Sequence, residues 1–305
     1  MIKAPRIEAS AMPLASLADY VALTKPRVVL MIVLVTAAGF VIGSPGRSLD
    51  LRDLDFTLLA ATLLGTALVA GGTLALNQYL EMDLDGLMQR TRRRPLPGGR
   101  MVPLEALGFG AMLASAGLLC LAFAVRPLAA LVTAATLVLY LFAYTPLKRL
   151  SAICTVVGAF PGALPPVTGY VAAGGGIDAG AAALFAILFF WQLPHSLAIA
   201  QLYRDDYARA DIRMLPTVDA SGASTGRHTV MNCLSLLAVG MLPTLIGMAG
   251  WVSFVVAGIL GGWMLWRGVA LALDTSIIPA RRLLIASYVY VPVVMTTLAV
   301  DRLLS

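Results

Sequence analysis

The chain has 305 residues, of which 59% are hydrophobic and only 12% charged, with a mean hydropathy of +0.87. Soluble domains of this length carry about a quarter charged residues, so the composition excludes a soluble globular protein and points to one embedded in a lipid bilayer. The net charge of +6 includes no basic stretch interleaved with aromatics. This argues against a nucleic-acid partner and for basic residues at a membrane face.

Residues 1–20 read as an N-terminal cytoplasmic tail and 21–305 as a single transmembrane domain. Lys25-Pro26-Arg27 opens the first apolar run, 28–44, which reads as a first span and not as a cleavable signal because many more follow. A second span, 57–80, ends in Asn77-Gln78-Tyr79-Leu80-Glu81-Met82-Asp83-Leu84-Asp85 and is followed by the basic run Arg90 to Arg94. Spans 104–124 and 127–145 are joined by a short turn at Arg126-Pro127, and the latter closes in Tyr144-Thr145-Pro146-Leu147-Lys148-Arg149. The fifth span is 152–173, followed by the outer loop Gly174-Gly175-Gly176. The sixth, 180–201, carries Trp191-Gln192-Leu193-Pro194-His195 and leads into Tyr203-Arg204-Asp205-Asp206-Tyr207. Spans 229–248, 250–272 and 283–302 complete nine, each near the 20 residues a bilayer crossing needs. Cys120, Cys154 and Cys233 lie far apart in apolar runs with no CxxC. They fit small buried side chains and not a disulfide framework or a covalent haem attachment.

With the N-terminus inside, only Arg47, Arg52, Arg126 and Arg302 of the 22 lysines and arginines fall on outer segments. That bias supports a cytoplasmic N-terminus and an external C-terminus. The second and sixth spans, four apart and so parallel, both end in an acidic and then basic segment, an internal echo with little residue identity.

Asn77, Glu81 and Asp85 stand at i, i+4 and i+8, so they drift by about 80° and share one helix face. Two carboxylates and an amide stacked near lipid depth repel and destabilise unless a cation offsets them. Mg²⁺ suits such oxygen ligands and is commonly held by one or two carboxylates together with phosphate oxygens. The neighbouring Arg90 and Arg94 then suit the remaining oxygens of a diphosphate, although arginines here also serve to set topology and attract anionic lipid. Asp205 and Asp206 form a candidate second metal-ligand pair, with Asp211 a weaker candidate, and the alternative for this segment is a solvated loop. Lys148 is a candidate phosphate ligand, and Tyr144 a ring that can face a cation, although each taken alone is more often an interface anchor. Lys25 and Arg27 read equally as substrate ligands and as positive-inside anchors. His195 has three readings: a haem axial ligand, a base, or a helix histidine bonded to a neighbour. His228, in a basic loop, reads as solvated.

These pieces resemble the UbiA superfamily of intramembrane prenyltransferases, and within it the branch that acts on haem. The carrying fragments are Leu23-Thr24-Lys25-Pro26-Arg27, Asn77 to Asp85, and Met88-x-Arg90-Thr91-x-x-Arg94-Pro95-Leu96. With them go Tyr144 to Arg149, Trp191-Gln192-x-Pro194-His195, Asp206-Tyr207 and Met214-Leu215-Pro216. The resemblance covers the chain from about residue 17. It implies an all-α membrane fold of nine transmembrane helices around a central cavity, with farnesyl diphosphate and Mg²⁺ as the donor system. Protoheme IX would be the acceptor and haem O the product. It implies Asn77, Glu81 and Asp85 as ligands of a first Mg²⁺, and Asp205 and Asp206 as the second acid motif. It further implies Arg90, Arg94, Lys148 and Arg213 as diphosphate ligands and His195 as a residue near haem. A bacterial inner membrane, and haem A synthase or terminal-oxidase assembly proteins as partners, belong to the same implication. The sequence departs from the superfamily pattern at Gln78 and Glu81, where Asp is common, in the compressed Asp205-Asp206 pair, at Ser196 where an aromatic is expected, and at Asp211 where Gly or Asn is expected.

The implied chemistry is ionisation of an allylic diphosphate, with Mg²⁺ and basic residues stabilising the leaving group. A related enzyme acting on a quinone precursor or chlorophyllide would use the same machinery, and Trp191 to His195 favour haem. A secondary transporter with charged midplane sites is a rival from another class. It is disfavoured because the acidic residues cluster at inner helix ends.

Overall fold

A computed structural model describes residues 15–45 and 54–304. Most of the expected N-terminal tail lies outside the described residues, as do Lys3, Arg6, Arg47 and Arg52 of the charge count. The described chain is helical throughout: α1 (Leu17–Thr24), α2 (Pro26–Gly43), α3 (Phe56–Leu80), α4 (Met82–Leu87), α5 (Pro103–Cys120), α6 (Pro127–Val138), α7 (Thr145–Leu150), α8 (Cys154–Ala163), α9 (Pro165–Ala172), α10 (Ala179–Leu202), α11 (Arg204–Arg209), α12 (Leu215–Val218), α13 (Ala223–Leu245), α14 (Trp251–Leu273) and α15 (Ile277–Leu304). π-helical turns extend α5 over Leu121–Val125 and join α6 to α7 over Leu139–Tyr144.

Among the described residues, eight helices are long and apolar enough to cross a membrane. The expected fifth span, 152–173, is the exception: it is not one helix but two, α8 and α9, meeting at Leu164. Pro161, Pro165 and Pro166 are the cause. Each lacks a backbone donor, and each ring crowds the preceding turn. The Pro161 carbonyl, which loses its i+4 donor at Pro165, accepts instead from Leu164 N–H at 3.4 Å, the kind of local adjustment that non-regular backbone at membrane depth requires. The ninth crossing is therefore a broken one.

Lipid tails are as apolar as leucine, so helices in a bilayer associate through close packing, and small residues permit it. In the antiparallel pair α3 and α5, a Cβ on Gly72 would come within 2.6 Å of the Gly110 carbonyl oxygen. One on Gly117 would come within 2.5 Å of the Gly65 oxygen. Gly39 and Gly43 of α2 meet α9 in the same manner, and a Cβ on Gly169 would overlap the Thr36 carbonyl oxygen. The main core joins α2, α8, α10, α13, α14 and α15 through Leu184, Ile187, Leu236, Met264, Leu283 and Tyr290. A smaller core of Leu84, Met88, Cys154, Ile212 and Met214 lies beneath the acidic segments and holds them together. Cys154 and Cys233 are buried and Cys120 is half-buried, all three with free thiols.

The echo in the sequence has a structural counterpart. α3 and α10 both begin with an aspartate cap: Asp55 accepts from Leu58 N–H, and Asp178 accepts from Gly180 and Ala181 N–H. Both end at a residue of nearly the same conformation, Glu81 at φ −108°, ψ 10° and Tyr203 at φ −114°, ψ 28°. A six-residue helix follows each break.

Candidate active site

The expected ladder straddles the point where α3 breaks, with Asn77 in α3, Glu81 at its C-terminal cap and Asp85 in α4. Asn77 and Asp85 are each 1% exposed and Glu81 is 8% exposed, so all three side chains are withdrawn from bulk water. A facing ladder rises from the π-helical turn into α7: Tyr140, Tyr144 and Lys148. The two tyrosine rings are 5.2 Å apart, and the Lys148 ammonium lies 4.4 Å from the Tyr144 ring centre.

Two ion pairs neutralise the ladder. Lys148 Nζ donates to Glu81 Oε1 at 2.6 Å, and Arg94 Nη1 donates to Asp85 Oδ2 at 2.5 Å. Arg94 reaches back because the basic loop is folded onto α4: Thr91 Oγ1 donates to the Asp85 carbonyl at 2.8 Å. Lys25 belongs to the same group. It joins α1 to α2 in the left-handed conformation at φ 49°, a strained one for a side chain of its size. Burial, with Arg94 and Lys148 close by, pushes its ammonium pKa down to about 7, against the opposing pull of Asp85 and Glu81. Gln78, the departure from the superfamily pattern, donates to the Leu23 carbonyl at 2.7 Å and anchors the end of α1. An aspartate there would repel that oxygen.

The ion pairs use one oxygen of each carboxylate. Glu81 Oε2, Asp85 Oδ1 and Asn77 Oδ1 have no hydrogen bond among the described residues, yet they are not among the polar atoms sealed without a partner. Three oxygens free of hydrogen bonds, from an amide and two carboxylates, are the donor types a hard cation such as Mg²⁺ takes, so the residues present fit such an ion. Among the described residues, no three His, Cys, Asp or Glu side chains converge on one point. A metal here would therefore rest on the amide and on oxygens of its substrate as well.

The second acidic segment is arranged differently. Asp206 is 8% exposed and accepts from the backbone N–H groups of Gln89 and Arg90 at 3.2 and 3.3 Å, and from the Arg209 guanidinium. It clasps the basic loop. The Arg90 guanidinium lies over the Tyr203 ring at 4.8 Å and is also held by Tyr207. Asp205 is exposed and makes no hydrogen bond or ion pair among the described residues. Arg27 and Arg213 are also exposed, and Arg213 joins the site only by its backbone N–H, which donates to the Lys148 carbonyl at 2.8 Å. Asp211 has φ 50°, which accounts for the Gly or Asn expected at that position.

His195 lies deeper, about 12 Å along α10 from the break at Tyr203. Its ring stacks on Trp191 at 4.7 Å and meets Tyr288 edge-on at 5.3 Å. Its Nδ1 is 2.8 Å from Ser287 Oγ. Ser287 donates its own proton to the Leu284 carbonyl at 2.7 Å, so His195 Nδ1 carries the hydrogen and Nε2 keeps its lone pair. Sequence reasoning singled out neither Ser287, Tyr140 nor Tyr203. Only the i, i+4, i+8 spacing of Tyr140, Tyr144 and Lys148 was there to signal one of them.

An all-helical intramembrane bundle with a buried, cation-paired acid ladder at one end defines a class, and the comparisons agree with it. Residues 27–288 match the UbiA prenyltransferase family, and the chain belongs to that family. It is 45% identical over 287 residues to the protoheme IX farnesyltransferase of Solibacter usitatus, covering 93% of this chain and 98% of that one. It is 44% identical over 301 residues to the protein of the same name from Koribacter versatilis, covering 94% of each. Among solved structures, a digeranylgeranylglyceryl phosphate synthase superposes with a TM-score of 0.75 at 16% identity, over 95% of this chain and 99% of that one. A UbiA homologue from Archaeoglobus fulgidus bound to GPP and Mg²⁺ superposes at 0.61 and 17% identity, over 94% of this chain and all of that one. At such identities the likeness shows a shared fold.

Proposed function

We propose that this membrane prenyltransferase transfers a farnesyl group from farnesyl diphosphate to a vinyl group of protoheme IX, giving haem O. The observation that carries the proposal is the Asn77, Glu81 and Asp85 ladder. It is buried at a helix break, faces Lys148 and Arg94, and presents three open oxygens. Similarity to protoheme IX farnesyltransferases over most of the chain chooses the acceptor.

Asn77, Glu81 and Asp85 would hold Mg²⁺, which when bound offsets charge developing on the leaving diphosphate. Lys148, Arg94 and Lys25 bind the remaining phosphate oxygens, with Arg90 at the loop edge. The half-buried setting of Lys148, Arg94 and Lys25 makes each of their contacts stronger than it would be in water. The farnesyl C1–O bond breaks with its electron pair leaving on diphosphate. The vinyl carbon then forms the new C–C bond, water adds to the porphyrin-side cation, and one proton is released to leave a hydroxyethyl carbon. Tyr144 presents a ring face already suited to a cation. His195, its Nδ1–H held by Ser287, offers Nε2 towards haem, and Trp191 supplies a flat face beside it. We assign Asp206 to holding the basic loop, with Asp205 at the solvent edge. The charge bias orients the ladder to the cytoplasmic face of a bacterial inner membrane, with the N-terminus inside and the C-terminus outside.

The test is Asp85→Ala, purified and assayed with farnesyl diphosphate, haem and Mg²⁺, with haem O followed by chromatography. The variant is expected to fold and to make no haem O. Wild-type turnover would refute the assignment.

A further inference from the structure

Asn77 is an amide among carboxylates, and only its oxygen end can ligate a hard cation. The two ends of an amide are nearly the same shape, so the hydrogen-bond partner decides which way it faces. That partner is Thr145, whose Oγ1 lies 3.1 Å from Asn77 Nδ2, both residues being buried. The Thr145 hydroxyl proton is already committed, since it is donated to the Tyr140 carbonyl at 2.8 Å. That carbonyl stands five residues back and is in reach because the chain runs through a π-helical turn over Leu139–Tyr144. The Thr145 backbone N–H donates to the same oxygen. Thr145 Oγ1 is left able only to accept. It takes the Asn77 NH₂ and leaves Oδ1 without a hydrogen bond, along the ladder from the unpaired oxygens of Glu81 and Asp85.

We propose that Thr145 is a positioning residue for the metal: with the π-helical turn behind it, the hydroxyl locks the Asn77 amide with its oxygen presented as a ligand. π-helical turns recur at functional sites, and this one serves to aim a hydroxyl. The proposal rests on reading Asn77, Glu81 and Asp85 as a divalent-cation site.

The experiment is Mn²⁺ binding to the purified full chain, read by electron paramagnetic resonance with Mn²⁺ alone and with inorganic diphosphate. Thr145→Val keeps the shape and removes the hydroxyl, and is expected to weaken Mn²⁺ binding about tenfold or more, the usual cost of losing a partner that orients a ligand. Thr145→Ser keeps the hydroxyl and is expected to stay within about twofold of wild type on the same ground. Wild-type affinity in Thr145→Val, or a loss in Thr145→Ser as large as in Thr145→Val, would overturn the proposal. Should Thr145→Val not fold, Thr145→Ala is read against Thr145→Ser in its place. Asp85→Ala separates the two levels. If it binds Mn²⁺ normally, the cation site itself is wrong. If it loses Mn²⁺ while Thr145→Val does not, only the role of Thr145 fails.

Discussion

Replacing Lys148 by methionine removes a charge from a site where its partner cannot escape to water. At 2.6 Å and an effective dielectric near 20, the direct attraction to Glu81 is about 6 kcal/mol. Desolvation of both groups cancels part of it. The side chains are only 13% and 10% exposed, so the loss is that of a buried pair stripped of one partner, 3–5 kcal/mol as an order of magnitude. Lys25 remains near Glu81, which puts the expected cost at the low end, about 3 kcal/mol. At roughly 2 °C per kcal/mol for a chain of this size, the melting temperature should fall by about 6 °C. The assay is thermal unfolding of purified protein in detergent, with and without Mg²⁺ and inorganic diphosphate. If Glu81 is a metal ligand, the cation replaces the missing ammonium, and the penalty should shrink by half or more when both are added. The double variant Lys148→Met with Glu81→Gln removes both charges and should regain most of the loss. A drop below about 2 °C, or one indifferent to Mg²⁺ and to Glu81→Gln, would refute the reasoning.

Three other outcomes follow from single features. Lys25 has its pKa pushed down to about 7, so it is charged below pH 7 and neutral above. The KM for farnesyl diphosphate should rise as pH passes 7, and Lys25→Arg, which stays charged, should flatten that profile. Gly169→Ala drives a methyl into the Thr36 carbonyl, whereas nothing lies within 4 Å of a Cβ on Gly108. Thermal melts should therefore show Gly169→Ala destabilised by about 3 kcal/mol or more and Gly108→Ala unchanged or up to about 1 kcal/mol more stable. Asp211→Gly relieves a left-handed aspartate at φ 50°, and thermal melts should show it unchanged or stabilised by up to about 1 kcal/mol.

Hydropathy reads eight spans correctly because a long apolar helix is a local property of sequence. It misreads 152–173 as one helix because apolar content does not register what Pro161, Pro165 and Pro166 do to the hydrogen-bond ladder. The ladder of Asn77, Glu81 and Asp85 was legible for the same local reason, since helical period alone puts the three on one face. Its partners were not. Glu81 meets Lys148 across 67 residues of chain, and Asp206 meets Arg90 across 116. Those pairings depend on how α4, α7 and α11 pack, which no spacing in the sequence encodes. Lys25 was visible as a basic residue before a proline, but its inward burial follows from a left-handed turn between α1 and α2. Asp206 shows the limit most plainly. An aspartate pair after a long helix reads as a metal motif, and nothing in the spacing shows that one of the two also accepts from backbone amides of the basic loop.

The two halves of the bundle share a plan and have divided its use. Each begins a long helix with an aspartate cap, breaks it at a residue near φ −110° and follows with a six-residue helix carrying two aspartates. A helix break at the membrane edge is where carboxylates are tolerable, because freed backbone groups, loop arginines and water are all within reach. In the first half Glu81 and Asp85 are buried and face side-chain cations, each leaving one oxygen without a hydrogen bond, while Asp83 is exposed. In the second half the buried acid, Asp206, turns to the backbone of the first half's own basic loop. The consequence is mechanical as well as electrostatic. The loop that brings Arg94 to Asp85 is fastened at Gln89 and Arg90 by the second half, so the position of the guanidinium at the ladder depends on how the halves dock. An alteration that loosens α11 should therefore be felt at Asp85 without touching it, which is why neither acidic segment can be understood as a site alone.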